Sequence, residues 1–545
     1  MCGIWAYLGI PNPEHAQYVR KLLPRGPEYD AYTDISGVPV SLGFTRLAIN
    51  GLTPAGNQPF IVNNTYVVCN GEIYNYKQLA NRWQLVLEEG TSDCAVIPHL
   101  AKRLGMTELC RTLDGVFAFV YVDVSANTLT AARDPYGVRP LFQATYLENG
   151  QERYMWASEI KGLPNTYTAI EAFPPGTWRT YSTLTGKLLE AVKYHTVPHT
   201  KMGMFTYPGC RSEAREALRA SMTAAVKKRL LSDRPIGALL SGGVDSSLVA
   251  AIAARYLKME GRKLTTFCIG MPGSTDLEYA QKVADYIGSN HHSIVVSPED
   301  FLAAIPKVIE DIESYDITTV RASVGNWLIG KYIKENTDIK VVFNGDGSDE
   351  IGGGYLYFYA APSDEEFEAE SERLLNEIHI YDVLRSDRSM AAHGLEARTP
   401  FLDKSVVAAW RALDTGFRRP KHANAEGRGI QIEKSILREA FDIEHYLPYE
   451  VLWRRKEAFS DGVSSKTDSW YKRCSEFANT HGFDMNSNIT GVHNPPKTAE
   501  AFWYRMLFET YYGNQAVHLI PHMWMPKWIA GATDPSARTL SLYKD

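Results

Sequence analysis

A short apolar run, Pro235–Leu240, leads through Ser241-Gly242-Gly243-Val244-Asp245-Ser246-Ser247 into a helical pattern that continues to Lys258. A strand that feeds a helix through a tight Gly/Ser turn commits this part of the chain to α/β architecture, with the turn at the carboxyl edge of a sheet. The glycines let the backbone turn and approach a ligand closely. The serines add hydroxyl donors, and the helix start offers unpaired N–H groups and a positive dipole end to an anion. The passage therefore reads as a pyrophosphate cradle, the alternative being a plain turn between two core elements. It is not a Walker loop, because G-x-x-x-x-G-K-[ST] is absent and no lysine follows the glycines. Asp245, in that place, suits a divalent metal bridging phosphate oxygens.

Downstream, strand and helix patterns alternate: a helix over Ser212–Leu231, a strand over Leu264–Ile269, and a helix opened by a Thr275-x-x-Glu278 capping box and closed by Gly288. A strand at Ser293–Val296, a helix at Trp327–Lys334 and a strand at Lys340–Phe343 follow. This order predicts a parallel sheet with ligands beyond its carboxyl edge. The last of these strands runs into Asn344-Gly345-Asp346-Gly347-Ser348-Asp349-Glu350, an acidic Gly-rich loop without the twelve-residue spacing of an EF-hand. It reads either as a solvated turn or as the partner of Asp245, with Asp349 joining Asp245 around Mg²⁺ on ATP phosphates.

The first two hundred residues differ. Thr65–Val68, Asp114–Val122 and Tyr154–Ala157 are short β-branched or aromatic runs bounded by turns, and Asp93–Leu104 is one of the few helical patterns. A layered domain of antiparallel sheets, residues 1–200, is expected before the α/β domain, residues 211–545, with a Pro/Gly-containing linker around 197–211. A length of 545 residues requires several cores. The net charge of −6 argues against a nucleic-acid surface. Seven cysteines without a C-x-x-C pair give neither a disulfide framework nor a structural zinc site. With no apolar stretch of membrane-spanning length and no basic leader, a cytoplasmic protein is expected.

Cys2 follows Met1 directly. Cysteine is small enough for Met1 to be removed, which would leave thiol and α-amine on one residue, nucleophile and base together. Asn70 and Gly71 could supply an oxyanion hole. Arg46 could pair with a carboxylate, and Glu72 with Asp93 could hold an ammonium. Together these describe a pocket for a free amino acid with a reactive acyl side chain, such as glutamine.

Met1-Cys2-Gly3-Ile4-Trp5, Arg46-Leu47-Ala48, Asn70-Gly71-Glu72-Ile73-Tyr74-Asn75 and Arg133–Leu141 resemble class II glutamine amidotransferase domains, whose fold is an αββα N-terminal-nucleophile sandwich. The Ser241–Ser247 loop resembles that of N-type ATP pyrophosphatases. With Thr318–Ser323, Gly394–Asp403 and Lys456–Gly462, the ordered set resembles the eukaryotic-type, glutamine-hydrolysing asparagine synthetase family over nearly the whole chain.

That resemblance implies an ATP-dependent ligase that amidates aspartate with ammonia from glutamine through a β-aspartyl-AMP intermediate. It implies Cys2, Asn70 and Gly71 as the glutaminase machinery, and Arg46, Leu47, Ala48, Ile49, Asn50, Gly71, Glu72 and Asp93 as the glutamine site. Leu240, Ile269, Asn344 and Gly345 would line the adenine and ribose side, and Ser241, Gly242, Gly243, Asp245 and Ser246 the phosphates. Asp245 and Asp349 would hold Mg²⁺, Lys456 would neutralise phosphate charge, and Thr318 and Arg321 would grip aspartate. The partners are these small substrates, with neither nucleic acid nor membrane; a homodimer is left open. An apolar ammonia passage between the domains is expected.

Two departures stand out. The family loop S-G-E-G-S-D-E appears as Asn344–Glu350, so Asp346 replaces a catalytic glutamate and shortens its reach by one methylene. The family H-R-G-P-D appears as Pro24-Arg25-Gly26-Pro27-Glu28. A β-lactam-synthetase-like cyclase lacking the working cysteine, or a non-catalytic nucleotide binder, are the rival readings; Cys2, Arg46 and Asp93 weigh against the first.

Overall fold

In the computed structural model, residues 1–148, 150–198, 210–421, 431–443, 445–481 and 492–540 are described. Most of the expected linker lies outside them.

The amino-terminal part is two six-stranded antiparallel sheets face to face. One runs in the order Ala169–Ala172, Phe142–Glu148, Gln151–Ala157, Gly3–Leu8, Val40–Arg46, Tyr29–Asp34. The other runs Leu188–Lys193, Thr177–Ser182, Thr128–Arg133, Gly115–Asp123, Thr65–Ile73, Phe60–Val62. Alternation along each strand decides what faces what. Ile4, Ala6 and Leu8 meet Val68, Ala118 and Val120 inside the sandwich. Val67, Cys69, Phe117 and Phe119 point outward, where Leu79, Val96, Leu100 and Leu109 of three helices cover them. The short helix Ala16–Arg20 covers Trp5 and Tyr7 of the other sheet, giving the αββα order.

The strand expected at Thr65–Val68 continues to Ile73. Asn70 and Gly71 therefore sit within it rather than after it. Asn70 shares Val68's parity, so it points into the sandwich beside the start of the first strand, where Cys2 packs.

The second part is a parallel sheet in the order Asn290–Val295, Thr265–Gly270, Ile236–Leu239, Val341–Phe343, Glu396–Arg398. Its connections leave the central strand Ile236–Leu239 first toward one edge and then toward the other. The switch point lies between Ile236–Leu239 and Val341–Phe343, which pair Ala238 with Phe343, and there a crevice opens beyond the strand ends. The Ser241 and Asn344 loops thus leave adjacent parallel strands side by side.

Several local expectations shift. The capping residue of the helix Thr275–Ile287 is Ser274, which accepts from the Leu277 N–H, while Thr275 Oγ1 donates to Glu457 Oε2 at 2.7 Å. The Trp327–Lys334 pattern is the end of a longer helix, Ile317–Asn336, whose first turns carry Thr318 and Arg321. No helix among the described residues is long and apolar enough to cross a membrane.

Candidate active sites

The first site lies at the amino-terminal end of Gly3–Leu8. Cys2 Sγ is 3.7 Å from the Leu47 carbonyl, and the Cys2 carbonyl accepts from Arg25 Nε at 2.9 Å. Burial pushes the thiol up to about 11, and pushes the Met1 amine down to about 6. With Met1 in place the thiol is held protonated, while the amine one residue away is poised to accept a proton near neutrality.

Both side-chain atoms of Asn70 are buried without a hydrogen-bond partner in the structure. A buried amide left unpaired is costly, and its placement facing Cys2 fits a donor kept for a charge that appears only during reaction. Gly71 is required by close approach: a Cβ there would lie 2.5 Å from the Val116 carbonyl oxygen.

Arg46 gives hydrogen bonds to Thr53 O and Asn57 Oδ1, both at 2.7 Å, and to Gly51 O. Its guanidinium is thus aimed by the loop that follows it. The Asn50 amide donates to Glu72 Oε2 at 2.5 Å, and Asp93 Oδ2 accepts from the Ile73 N–H at 2.5 Å. Burial pushes Asp93 up to about 6 and raises Glu72 well above its usual range, with Asp93 itself adding to the Glu72 shift. Two buried carboxyls raised together suit an ammonium ligand that would restore their ionisation. Ala48 N–H donates to Glu28 Oε2 at 2.7 Å, and Ile49 O accepts from Asp233 N–H at 3.0 Å, fixing this loop against the second domain.

The second site is the crevice at the switch point. One cleft is lined by Leu240, Ser241, Gly243, Asp245, Ser246, Ile269, Thr318, Asn344, Gly345, Asp346, Asp349 and Lys456. Gly242 makes the turn itself, at φ +73, with a Cβ position only 2.4 Å from the Tyr279 Cβ. The Ser241 and Ser246 hydroxyls are 3.0 Å apart over the start of the helix Val244–Met259. Gly345 lets the second loop touch the first, its Cβ position lying 2.7 Å from the Ser246 nitrogen.

Thr318 Oγ1 is buried and unpartnered and faces both this cleft and a smaller recess shared with Arg321, Ser460 and Asp461. Arg321 uses four of its five N–H donors here: it gives paired hydrogen bonds to Glu500, at 2.8 and 2.6 Å, and to Asp534, at 2.9 and 2.8 Å. In this conformation its paired donor edges are turned to these carboxylates rather than to aspartate.

Asp346 accepts from the Asn344 amide at 3.0 Å and from Arg385 Nη2 at 3.4 Å, with burial raising its pKa. Asp245 and Asp349 converge: each lies 2.6 Å from the Lys434 ammonium, and Lys456 reaches Asp349 at 2.6 Å. Beside these lysines the Asp349 carboxyl stays well below the usual range despite burial. The two oxygen donors aimed at one point suit Mg²⁺, which takes few carboxylates and completes its shell with water and phosphate. No larger group of potential metal ligands occurs among the described residues.

Sequence reasoning missed Lys434, Arg385 and Arg398, all of which the fold brings to these sites. Lys434, Glu500 and Asp534 lie within or just before the last hundred residues, where the motif reading used only Lys456–Gly462. Arg398 lies on the edge strand Glu396–Arg398. Its guanidinium is 3.3 Å from Glu72 and its carbonyl accepts from the Asn344 N–H at 3.1 Å, so one strand touches both sites. Next to Met1 the interface is ion-paired rather than apolar, with Arg139 3.4 Å from both Glu396 and Asp387.

Residues 1–206 match the family model described as a glutamine amidotransferase domain, and residues 217–373 and 362–525 match the one described as asparagine synthase. This chain belongs to the asparagine synthase family. It is 43% identical over 573 aligned residues to the glutamine-hydrolysing asparagine synthetase of Cricetulus griseus, covering 100% of this chain and 99% of that protein. It is 42% identical to the Homo sapiens enzyme and 40% identical to that of Gallus gallus, both with the same coverage.

Proposed function

We infer that this member of the asparagine synthase family makes L-asparagine from L-aspartate, ATP and the amide nitrogen of L-glutamine, dividing the work between its two sites. With Met1 removed, the Cys2 amine takes the thiol proton and the sulfur attacks the glutamine amide carbon. Asn70 and the Gly71 N–H hold the resulting oxyanion. Collapse expels ammonia, and water releases glutamate from the thioester. Arg46 takes the glutamine carboxylate, while Glu72 and Asp93 take its ammonium.

In the second site the aspartate side-chain carboxylate attacks the α-phosphorus of ATP, giving β-aspartyl-AMP and pyrophosphate. Ammonia then adds to the acyl carbon and AMP leaves. The Ser241 loop and Lys456 hold the polyphosphate, Thr318 and Arg321 orient aspartate, and Asp346 takes a proton from the incoming nitrogen. Asp245 and Asp349 would hold Mg²⁺, which neutralises phosphate charge when bound. Arg321 must exchange part of its contact with Asp534 or Glu500 for substrate.

The observation that carries the coupled reading is the strand Glu396–Arg398, joined to Glu72 on one side and to Asn344 on the other. Mass analysis of products from ATP, aspartate and amide-¹⁵N glutamine tests it: the label should appear in asparagine, with AMP and pyrophosphate formed. Cys2→Ala should abolish this and leave ammonia-dependent synthesis intact. Loss of both, or label found only in free ammonium, would refute it.

A further inference from the structure

Lys434 has no counterpart in the reading above, yet it is buried against both aspartates that line the nucleotide cleft. Its side chain is fully buried, and its ammonium lies 2.6 Å from Asp245 Oδ2 and 2.6 Å from Asp349 Oδ1. The same ammonium reaches the Ser348 hydroxyl at 3.3 Å, which donates to the other oxygen of Asp245 at 2.7 Å. Lys456 stands 2.6 Å from Asp349 and 3.9 Å from Asp245. Two carboxylates and two ammonium groups thus close on themselves with no net charge.

The surroundings hold Lys434 there. Its backbone takes a left-handed conformation at φ +55. Gly354 clears the path of its stem, since a Cβ at that position would fall 2.2 Å from Lys434 Cε. The preceding residue, Glu433, is tied by Arg438 at 2.6 Å and by the Lys456 N–H at 2.9 Å.

A divalent cation bridging Asp245 Oδ2 and Asp349 Oδ1 would need the point this ammonium occupies. Entering alone, it would have to shed water and drive a buried ammonium off two carboxylates. A polyphosphate on the Ser241 loop changes that balance, because its oxygens accept both lysines as the metal arrives. We propose that Lys434 is a built-in counter-cation that closes the metal position until nucleotide binds, so that divalent metal enters only together with nucleotide. This rests on the assignment of Asp245 and Asp349 as the metal's carboxylates.

Mn²⁺ titration of the full-length enzyme, followed by electron paramagnetic resonance, tests it. The parent should leave the free-ion signal unchanged without nucleotide and should bind one Mn²⁺ per chain with a non-hydrolysable ATP analogue. Lys434→Met should bind Mn²⁺ without nucleotide at least tenfold more tightly than the parent, and Mn²⁺ should raise the thermal midpoint of the variant alone. Stoichiometric binding to the nucleotide-free parent would overturn the proposal, as would a variant no tighter than the parent. If the variant does not fold, the parent titrations decide. Asp349→Asn separates the two layers: with the analogue present it should weaken Mn²⁺ binding at least tenfold. Unchanged binding there would remove the metal assignment itself, and the proposal with it.

Discussion

Replacing Asn70 by leucine, which nearly matches its shape, should raise stability while disabling the first reaction. The Asn70 amide is buried with neither its nitrogen nor its oxygen partnered. A buried polar group in that state costs about 1–3 kcal/mol, and an apolar group of the same shape removes the cost. For a domain of 150–250 residues each kcal/mol moves the midpoint by roughly 2–4 °C, so the amino-terminal transition should rise by between ~2 °C and ~12 °C. Removing one oxyanion donor should at the same time lower the turnover of glutamine by ~10²–10³-fold, or about 2.7–4 kcal/mol of transition-state stabilisation. Glutamate release measured without ATP reads the chemistry, calorimetry reads the stability, and asparagine formation from ammonium should stay at the parent rate. If Asn70→Leu kept glutaminase activity within threefold, or lowered the midpoint, the amide would be structural and the oxyanion reasoning wrong.

Three further outcomes can be checked. Asp93, pushed up to about 6 from an ordinary value of 3.8, takes up a proton as pH falls through 6 and can no longer hold an ammonium. The KM for glutamine should therefore climb about tenfold per pH unit below that point, with ammonia-dependent kcat unaffected and the slope lost in Asp93→Asn. The sign for stability is opposite: this raised carboxyl favours folding most below its unfolded value, and the benefit fades as pH rises from about 4 to about 6. Both departures in the acidic loop meet in one hydrogen bond, Asn344 to Asp346 at 3.0 Å, so a longer side chain at one position fills what a shorter one vacates at the other. Asp346→Glu alone should then gain little in synthetase rate, and Asn344→Ser with Asp346→Glu should exceed it; additive effects in the double-mutant cycle would contradict that. Gly242→Ala should lose ATP-dependent pyrophosphate release, because an alanine at φ +73 strains the backbone and its Cβ would meet Tyr279 at 2.4 Å, while glutaminase persists.

The phosphate-side loops were legible because their information is local. A strand, a glycine turn and a helix start lie consecutively in Leu239–Val244, and parallel pairing then brings the Asn344 loop alongside. Asn70 was placed past the end of its strand because a polar residue interrupts the apolar alternation, and only the full register with Gly115–Asp123 shows it is interior. The helix cap slipped by one position since Ser274 and Thr275 are chemically equivalent caps; Glu457, 182 positions on, decides by taking the threonine hydroxyl. Lys434 was invisible for the same reason, its aspartate partner lying 189 positions away in a different element. Arg398 stood in plain view in a quoted motif, but no spacing rule tells a buried ion-pair arginine from an exposed one.

How the two sites keep a fixed relation follows from the kinds of contact between them. Leu47, Ile49, Tyr74, Val116, Tyr136 and Val138 of the first domain share a core with helices and strands of the second, which supplies non-directional adhesion. Threaded through that adhesion are buried ion pairs: Arg25 with Asp387 at 2.8 Å, Arg139 with Glu396, Arg398 with Glu72, and Arg388 with Glu313, whose carboxylate also accepts from the Ile160 N–H at 2.8 Å. Such pairs add little net stability over apolar packing, yet leaving one partner unpaired costs ~3–5 kcal/mol. A rotation of one domain by a single side-chain register would unpair several of them at once while the apolar surfaces could still pack. The charges therefore penalise orientations that break these pairs, which is what the proposed transfer of nitrogen from the first site to the second requires.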